Sequence, residues 1–217
     1  MKNARIWSAV GSKYDVVLVD DQSPFDDLAD IAALIPEIRV IQTYQDKETD
    51  NSLNQLNAIK LGLDTMLSAE HSHIWVIDAD DHPNLQELDF LNDIERNASY
   101  AFSGILEVEN SLQREKIIPI RRRYWISRLT TSQILLSKED FETNFGAIFN
   151  TNFSDIWYDA RLNFLLNKKF ILSDKAICTR LIHGENDSLR YRGNILNKFL
   201  RYFRAYFSRA KILGSGC

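Results

Sequence analysis

Two acidic clusters sit at the ends of apolar runs. Asp15-Val16-Val17-Leu18-Val19-Asp20-Asp21-Gln22-Ser23 is the first, and His73-Ile74-Trp75-Val76-Ile77-Asp78-Ala79-Asp80-Asp81 is the second. Each reads as a short buried strand that delivers carboxylates at its C-terminal end, where open α/β sheets bind their ligands. Hard cations such as Mg²⁺ or Mn²⁺ take oxygen ligands and only a few protein carboxylates beside substrate phosphates. Asp78, Asp80 and Asp81 repel one another unless a cation or hydrogen bonds offset their charge. The pair of clusters therefore suggests a site for a divalent cation and a phosphate-bearing ligand. A plainer reading stays open. Asp81 or His82 would cap a helix opening at Pro83, Ser23 would cap another, and Asp20 and Asp21 would be solvated strand-end charge.

The elements that must position these residues follow from periodicity. Ile6, Ala9 and Val10 share a helical face that Gly11-Ser12 ends. Residues 15–19 read as a strand. Ser23-Pro24-Phe25-Asp26-Asp27 is a helix start, with Ser23 as N-cap, Pro24 at the first helical position and acids in the first turn. That helix runs to about Ile35, and Ile38 to Thr43 is the next strand. Leu53, Leu56, Ile59, Leu63 and Leu67 predict a helix over about Ser52 to Ala69. The strand His73 to Ile77 follows, and Leu85, Leu88 and Leu91 predict a helix after Pro83. The order β-α-β-α-β-α implies an α/β fold with a mostly parallel sheet flanked by helices. Beyond it, Tyr100 to Glu109 and Lys116 to Ile120 read as strands, and Leu129 to Ser137 as a strand or packed segment. Lys138 to Asn144 and Asp155 to Asn167 read as helices, and Phe170 to Leu172 as a short strand.

With 217 residues, 45% hydrophobic and 26% charged, the chain has room for a sizeable core. The net charge of −4 gives no bias toward nucleic acid, and no recognised nucleic-acid module is present. Cys178 and Cys217 make no disulfide framework, so a reducing compartment is expected. No apolar run reaches the roughly 20 residues of a membrane span, and the N-terminus lacks the apolar core of a signal peptide. The expected location is cytoplasmic. Arg190, Arg192, Lys198, Arg201, Arg204, Arg209 and Lys211 have no acid among them. Residues 195–209 place Leu196, Phe199, Phe203 and Tyr206 near one helical face, the composition of an amphipathic helix on the inner face of an anionic membrane. A helix docked on its own domain, arginines outward, fits the same pattern. The domain division read here is 1–192 and a basic, aromatic tail 193–217.

The two clusters, about 57 residues apart in a βαβαβ frame, resemble the inverting nucleotide-sugar glycosyltransferases of the GT-A fold, family 2. Those enzymes carry "ivVDDgS", here Val17-Leu18-Val19-Asp20-Asp21-Gln22-Ser23, and "flDaDD" before a proline, here Val76-Ile77-Asp78-Ala79-Asp80-Asp81-His82-Pro83. They also carry "eDwelwlRl", here Ser154-Asp155-Ile156-Trp157-Tyr158-Asp159-Ala160-Arg161-Leu162. A last stretch of the form "gkkiv..d..l..yRlH..n.S" is matched by Asn167-Lys168-Lys169-Phe170-Ile171-Leu172 and then Thr179-Arg180-Leu181-Ile182-His183, up to Ser188. The resemblance covers residues 5–192. It departs at Gln22, where the family has glycine, and at Ser154, where it has glutamate. It also departs at the start: the family opens with an innermost strand, whereas the residues before Asp15 read as the tail of the helix that follows it. Without that strand, unpaired backbone groups and exposed apolar surface are expected.

The resemblance implies roles. Asp21, with Asp20, would contact the nucleotide base, and Asp78 would hold the ribose. Asp80, with Asp81 and His183, would hold Mn²⁺ or Mg²⁺, and Asp155 would be the general base that deprotonates an acceptor hydroxyl. The implied reaction is inverting transfer of a sugar from a nucleoside diphosphate, a UDP-sugar, to a saccharide or lipid-linked saccharide. On the residues alone, Asp155 is equally a helix cap, His183 a structural histidine, and Arg180, Arg190 and Arg121-Arg122-Arg123 either anion contacts or surface charge. Two other classes stay open: a degenerate GT-A-like binding module without turnover, and another metal-dependent phosphoryl-transfer enzyme on a doubly wound sheet.

Overall fold

The computed structural model describes residues 2–21, 28–43, 51–66, 70–78, 81–109, 112–117, 129–153, 157–166 and 169–182. Helix α1 (Lys2–Gly11) ends at the expected break. Strand β1 (Val17–Asp20), helix α2 (Leu28–Leu34) and strand β2 (Arg39–Gln42) follow, and the two strands pair in parallel, Val17 opposite Arg39 and Asp20 opposite Gln42. Helix α3 (Asn51–Met66) lies on β1, so close that a Cβ at Gly62 would meet Val19 Cγ2 at 2.9 Å. Glycine here sets how near helix and strand approach.

Strand β3 (His73–Trp75) leads into the second acidic cluster. It is the end strand of a four-stranded sheet, ordered β3-β8-β5-β9, with β5 (Tyr100–Phe102), β8 (Ile134–Ser137) and β9 (Ile171–Ser173). A second four-stranded sheet is ordered β4-β10-β6-β7, with β4 (Asp81–Pro83), β6 (Gly104–Glu109), β7 (Leu112–Ile117) and β10 (Cys178–Ile182). The fold is thus α/β, with open sheets and several helices, and the sheets are mixed. Pairs β1–β2, β5–β9 and β6–β10 are parallel. Pairs β3–β8, β5–β8, β4–β10 and β6–β7 are antiparallel.

That mixture corrects the expectation of a mostly parallel sheet. Parallel βαβ pairing is seen for β1 and β2, while β3 lies in another sheet and pairs antiparallel with β8. There β8 enters between β3 and β5 against the direction of both, and β6 and β7 form a hairpin-like antiparallel pair. The helix expected after Pro83 is also absent from its place. Asp81–Pro83 is drawn into a ladder with Cys178–Arg180, and Leu88–Asn92 forms a 3₁₀ turn. With no helix opening at Pro83, neither Asp81 nor His82 caps one. The apolar run Tyr100 to Glu109 is two strands in two sheets, parting at Ser103. A Cβ at Gly104 would overlap the carbonyl of Asp174, so glycine is required where the chain changes sheet.

The core is built where β5, β6 and β8 meet helices α3, α4 (Lys138–Ile148) and α5 (Tyr158–Leu166). Ser137 caps α4, accepting from the Asp140 N–H at 3.2 Å, with Glu139 and Asp140 in the first turn where the helix dipole favours acids. Phe141, fully buried, meets Phe145 and Phe149 edge-on. Among the described residues no helix is long and apolar enough to cross a membrane. The helix start at Ser23, the Arg121–Arg123 run and the tail 193–217 lie outside the described residues.

Candidate functional site

Parallel pairing of β1 with β2 brings their C-terminal polar residues side by side. Asp20 is buried and accepts from Gln42 Nε2 at 2.9 Å, and its carbonyl accepts from the Thr43 N–H at 2.9 Å. Asp21 is half-buried and accepts from Thr43 Oγ1 at 3.1 Å. The two acids of the first cluster therefore differ: Asp20 ties the strands together, while Asp21 is oriented by one hydroxyl and remains accessible. Gln42 and Thr43 were not singled out by sequence reading. Their signal is the register itself, since an in-phase parallel pair sets the end of one strand beside the end of the next.

The second cluster is built on a turn. The Asp81 N–H donates to the Asp78 carbonyl at 2.9 Å, just past the end of β3. Ser132, fully buried before β8, holds that end twice. Its hydroxyl accepts from the Asp78 N–H at 3.0 Å, and its carbonyl accepts from Trp75 Nε1 at 2.9 Å. The stretch Trp75 to Asp78 is thereby fixed against the core sheet. On the other side, β10 sets Arg180 directly opposite Asp81, and Arg180 Nε lies 3.7 Å from Asp81 Oδ1. Cys178, on the same strand, is fully buried; burial pushes its thiol well up, and the charges of Asp81 and Asp78 add to that while Arg180 opposes it. All three charged groups therefore act on one buried sulfur. Burial keeps this cysteine protonated and unreactive.

Of the residues assigned to a metal, Asp81 is described, and Asp80 and His183 lie outside the described residues. Among the described residues no three His, Cys, Asp or Glu side chains converge. The Asp81 carboxylate is in an ion pair with Arg180, which suits it to holding that arginine. Asp78 supplies oxygen donors of the kind a hard cation takes.

Asp155 also lies outside the described residues, and both of its flanks are pinned. Arg161, fully buried on α5, donates through Nη1 to the carbonyls of Ile148 (2.6 Å) and Asn150 (2.8 Å). Tyr158 is buried, which pushes its phenol up, and its N–H donates to Gln55 Oε1 of α3 at 3.3 Å. The two strands carrying the clusters are rooted together: His71 Nε2 lies 2.6 Å from Asp15 Oδ2, each two residues ahead of its strand. In comparisons with known proteins, no family model matches the chain, and no curated protein matches it.

Proposed function

We propose that the chain is a GT-A-like glycosyltransferase domain of the family 2 type. It would transfer a sugar, with inversion, from a nucleoside diphosphate donor to a hydroxyl of a saccharide or lipid-linked saccharide. One observation carries the reading. Strands β1 and β3, joined at their starts by His71 and Asp15, each lead into two acids: Asp20 and Asp21 accept from Gln42 and Thr43, Asp78 is fixed through its backbone N–H by Ser132, and Asp81 pairs with Arg180. That is what nucleotide recognition needs: one carboxylate group for the base and one for the ribose and diphosphate end. Asp21, oriented by Thr43, would accept from the base. Asp78, with its backbone fixed by Ser132, would take the ribose side. Asp155 would accept the proton of the attacking hydroxyl. A bound Mn²⁺ or Mg²⁺, with Asp80 and His183 as its assigned protein residues, would neutralise the departing diphosphate, while Asp81, also assigned to it from sequence, is taken up by its ion pair with Arg180. Docking of residues 195–209 on an anionic membrane belongs to the same proposal and rests on sequence alone.

A second reading, a saccharide- or nucleotide-binding module without turnover, is favoured by one feature. Among the described residues β1 pairs only with β2, and β3 pairs only with β8. The family's innermost strand has no counterpart between them among these residues.

One experiment separates the two. With a panel of UDP-sugars and saccharide acceptors, UDP release is expected from the wild type and about 10²- to 10⁴-fold less from Asp155→Asn. UDP affinity should stay within about threefold. Turnover unchanged in Asp155→Asn rejects it as the base, and UDP binding without any release supports the binding module.

A further inference from the structure

We propose that Arg180, held from beneath by Asp81, is the arm that grips the diphosphate of a nucleoside diphosphate at the Asp78–Asp81 turn. The inference deepens the donor-binding reading above and rests on it.

Register places the arm. In the antiparallel β4–β10 pair Arg180 stands directly across from Asp81, so their side chains share one face. That face belongs to the turn closed by the Asp81 N–H and the Asp78 carbonyl, 2.9 Å apart. Burial orders the two groups in depth. The Asp81 side chain is 2% exposed and the Arg180 side chain 16%. The carboxylate is thus the more buried partner, and the arginine is the one that solvent reaches.

The contact leaves the arginine's donors unspent. At 3.7 Å, Nε and Oδ1 are an ion pair and too far apart for a hydrogen bond. Asp81 offsets the charge of the guanidinium and anchors it without consuming its N–H groups. A planar fork of N–H donors so held matches two phosphate oxygens, which lysine, as a point charge, does not. The charge balance points the same way. Asp78 and Asp81 would repel an incoming diphosphate, and a fixed cation beside them reduces that repulsion.

The test is titration calorimetry on the full chain with Mn²⁺ present, using UDP and uridine as separate probes. Arg180→Ala is expected to weaken UDP binding by at least about tenfold while uridine binding stays within about twofold. Arg180→Lys should fall between, because it keeps the charge and loses the fork. If Arg180→Ala unfolds, which thermal unfolding detects, Arg180→Lys carries the same comparison. UDP affinity unchanged in the folded variant overturns the proposal, and equal losses for UDP and uridine make Arg180 a purely structural residue. A folded wild-type chain that binds neither probe contradicts the donor-binding reading itself, and the arm falls with it.

Discussion

Strands β8 and β3 are neighbours in one sheet, and their burial differs. All four residues of β8, Ile134 to Ser137, are buried, whereas His73, Ile74 and Trp75 of β3 are each only partly buried. β8 is paired along both edges, with β3 and β5, and is covered by α4. β3 is paired along one. Strand β1 resembles β3: Val17, Leu18 and Val19 are as apolar as any core strand, yet only partly buried, and β1 is laddered only to β2 among the described residues. The difference teaches where the packing is complete and where it is not. The packed half around β8 holds the fold. The less covered strands β1 and β3 lead into the acidic clusters, where Gln42 and Thr43 donate to Asp20 and Asp21 and the Ser132 hydroxyl accepts from the Asp78 N–H.

The largest expected effect tests that contrast directly. Leu136→Ala, in β8, should cost about 2 to 5 kcal/mol, the range for a fully buried leucine whose cavity collapses only in part. Leu18→Ala, in β1, should cost about 1 kcal/mol. Chemical denaturation of both variants checks this, and equal losses would break the comparison. A smaller effect sharpens it within β3. Burial holds His73 below its ordinary value of 6.5, with the Ala98 carbonyl on the ring acting the other way. The folded chain then takes up a proton less readily than the unfolded chain. The stability His73 contributes is fully present above about pH 6.5 and declines as pH falls through the shifted value. Unfolding midpoints between about pH 7.5 and about pH 5.5 should therefore fall less steeply in His73→Gln than in the wild type.

The first half of the fold was legible because its signals are local. The apolar runs at β1, β2 and β3 and the leucine spacing of α3 lie within about four residues of the structural limits. What stayed hidden depends on distant partners. Pro83 reads as a helix start until β10, nearly a hundred residues later, claims Asp81–Pro83 as a strand. Within the run Tyr100 to Glu109 the division between two sheets falls at Ser103-Gly104, and no partner visible from sequence marks it. Thr179 and Arg180 drew notice as part of a motif and not as a strand. At the site, the carboxylates themselves were legible, since acids ending apolar runs are conspicuous. The residues that fix them, Gln42, Thr43 and Ser132, were not, because each acts through register or through a hydrogen bond that no spacing encodes.

The central claim is that the carboxylates ending β1 and β3 form one nucleotide site. Titration of UDP into the full chain with Mn²⁺, repeated after EDTA, tests it most directly. Saturable binding that EDTA abolishes is the predicted result. A folded chain that gives no binding with Mn²⁺ contradicts the claim, and binding that EDTA leaves unchanged contradicts the metal's part in it.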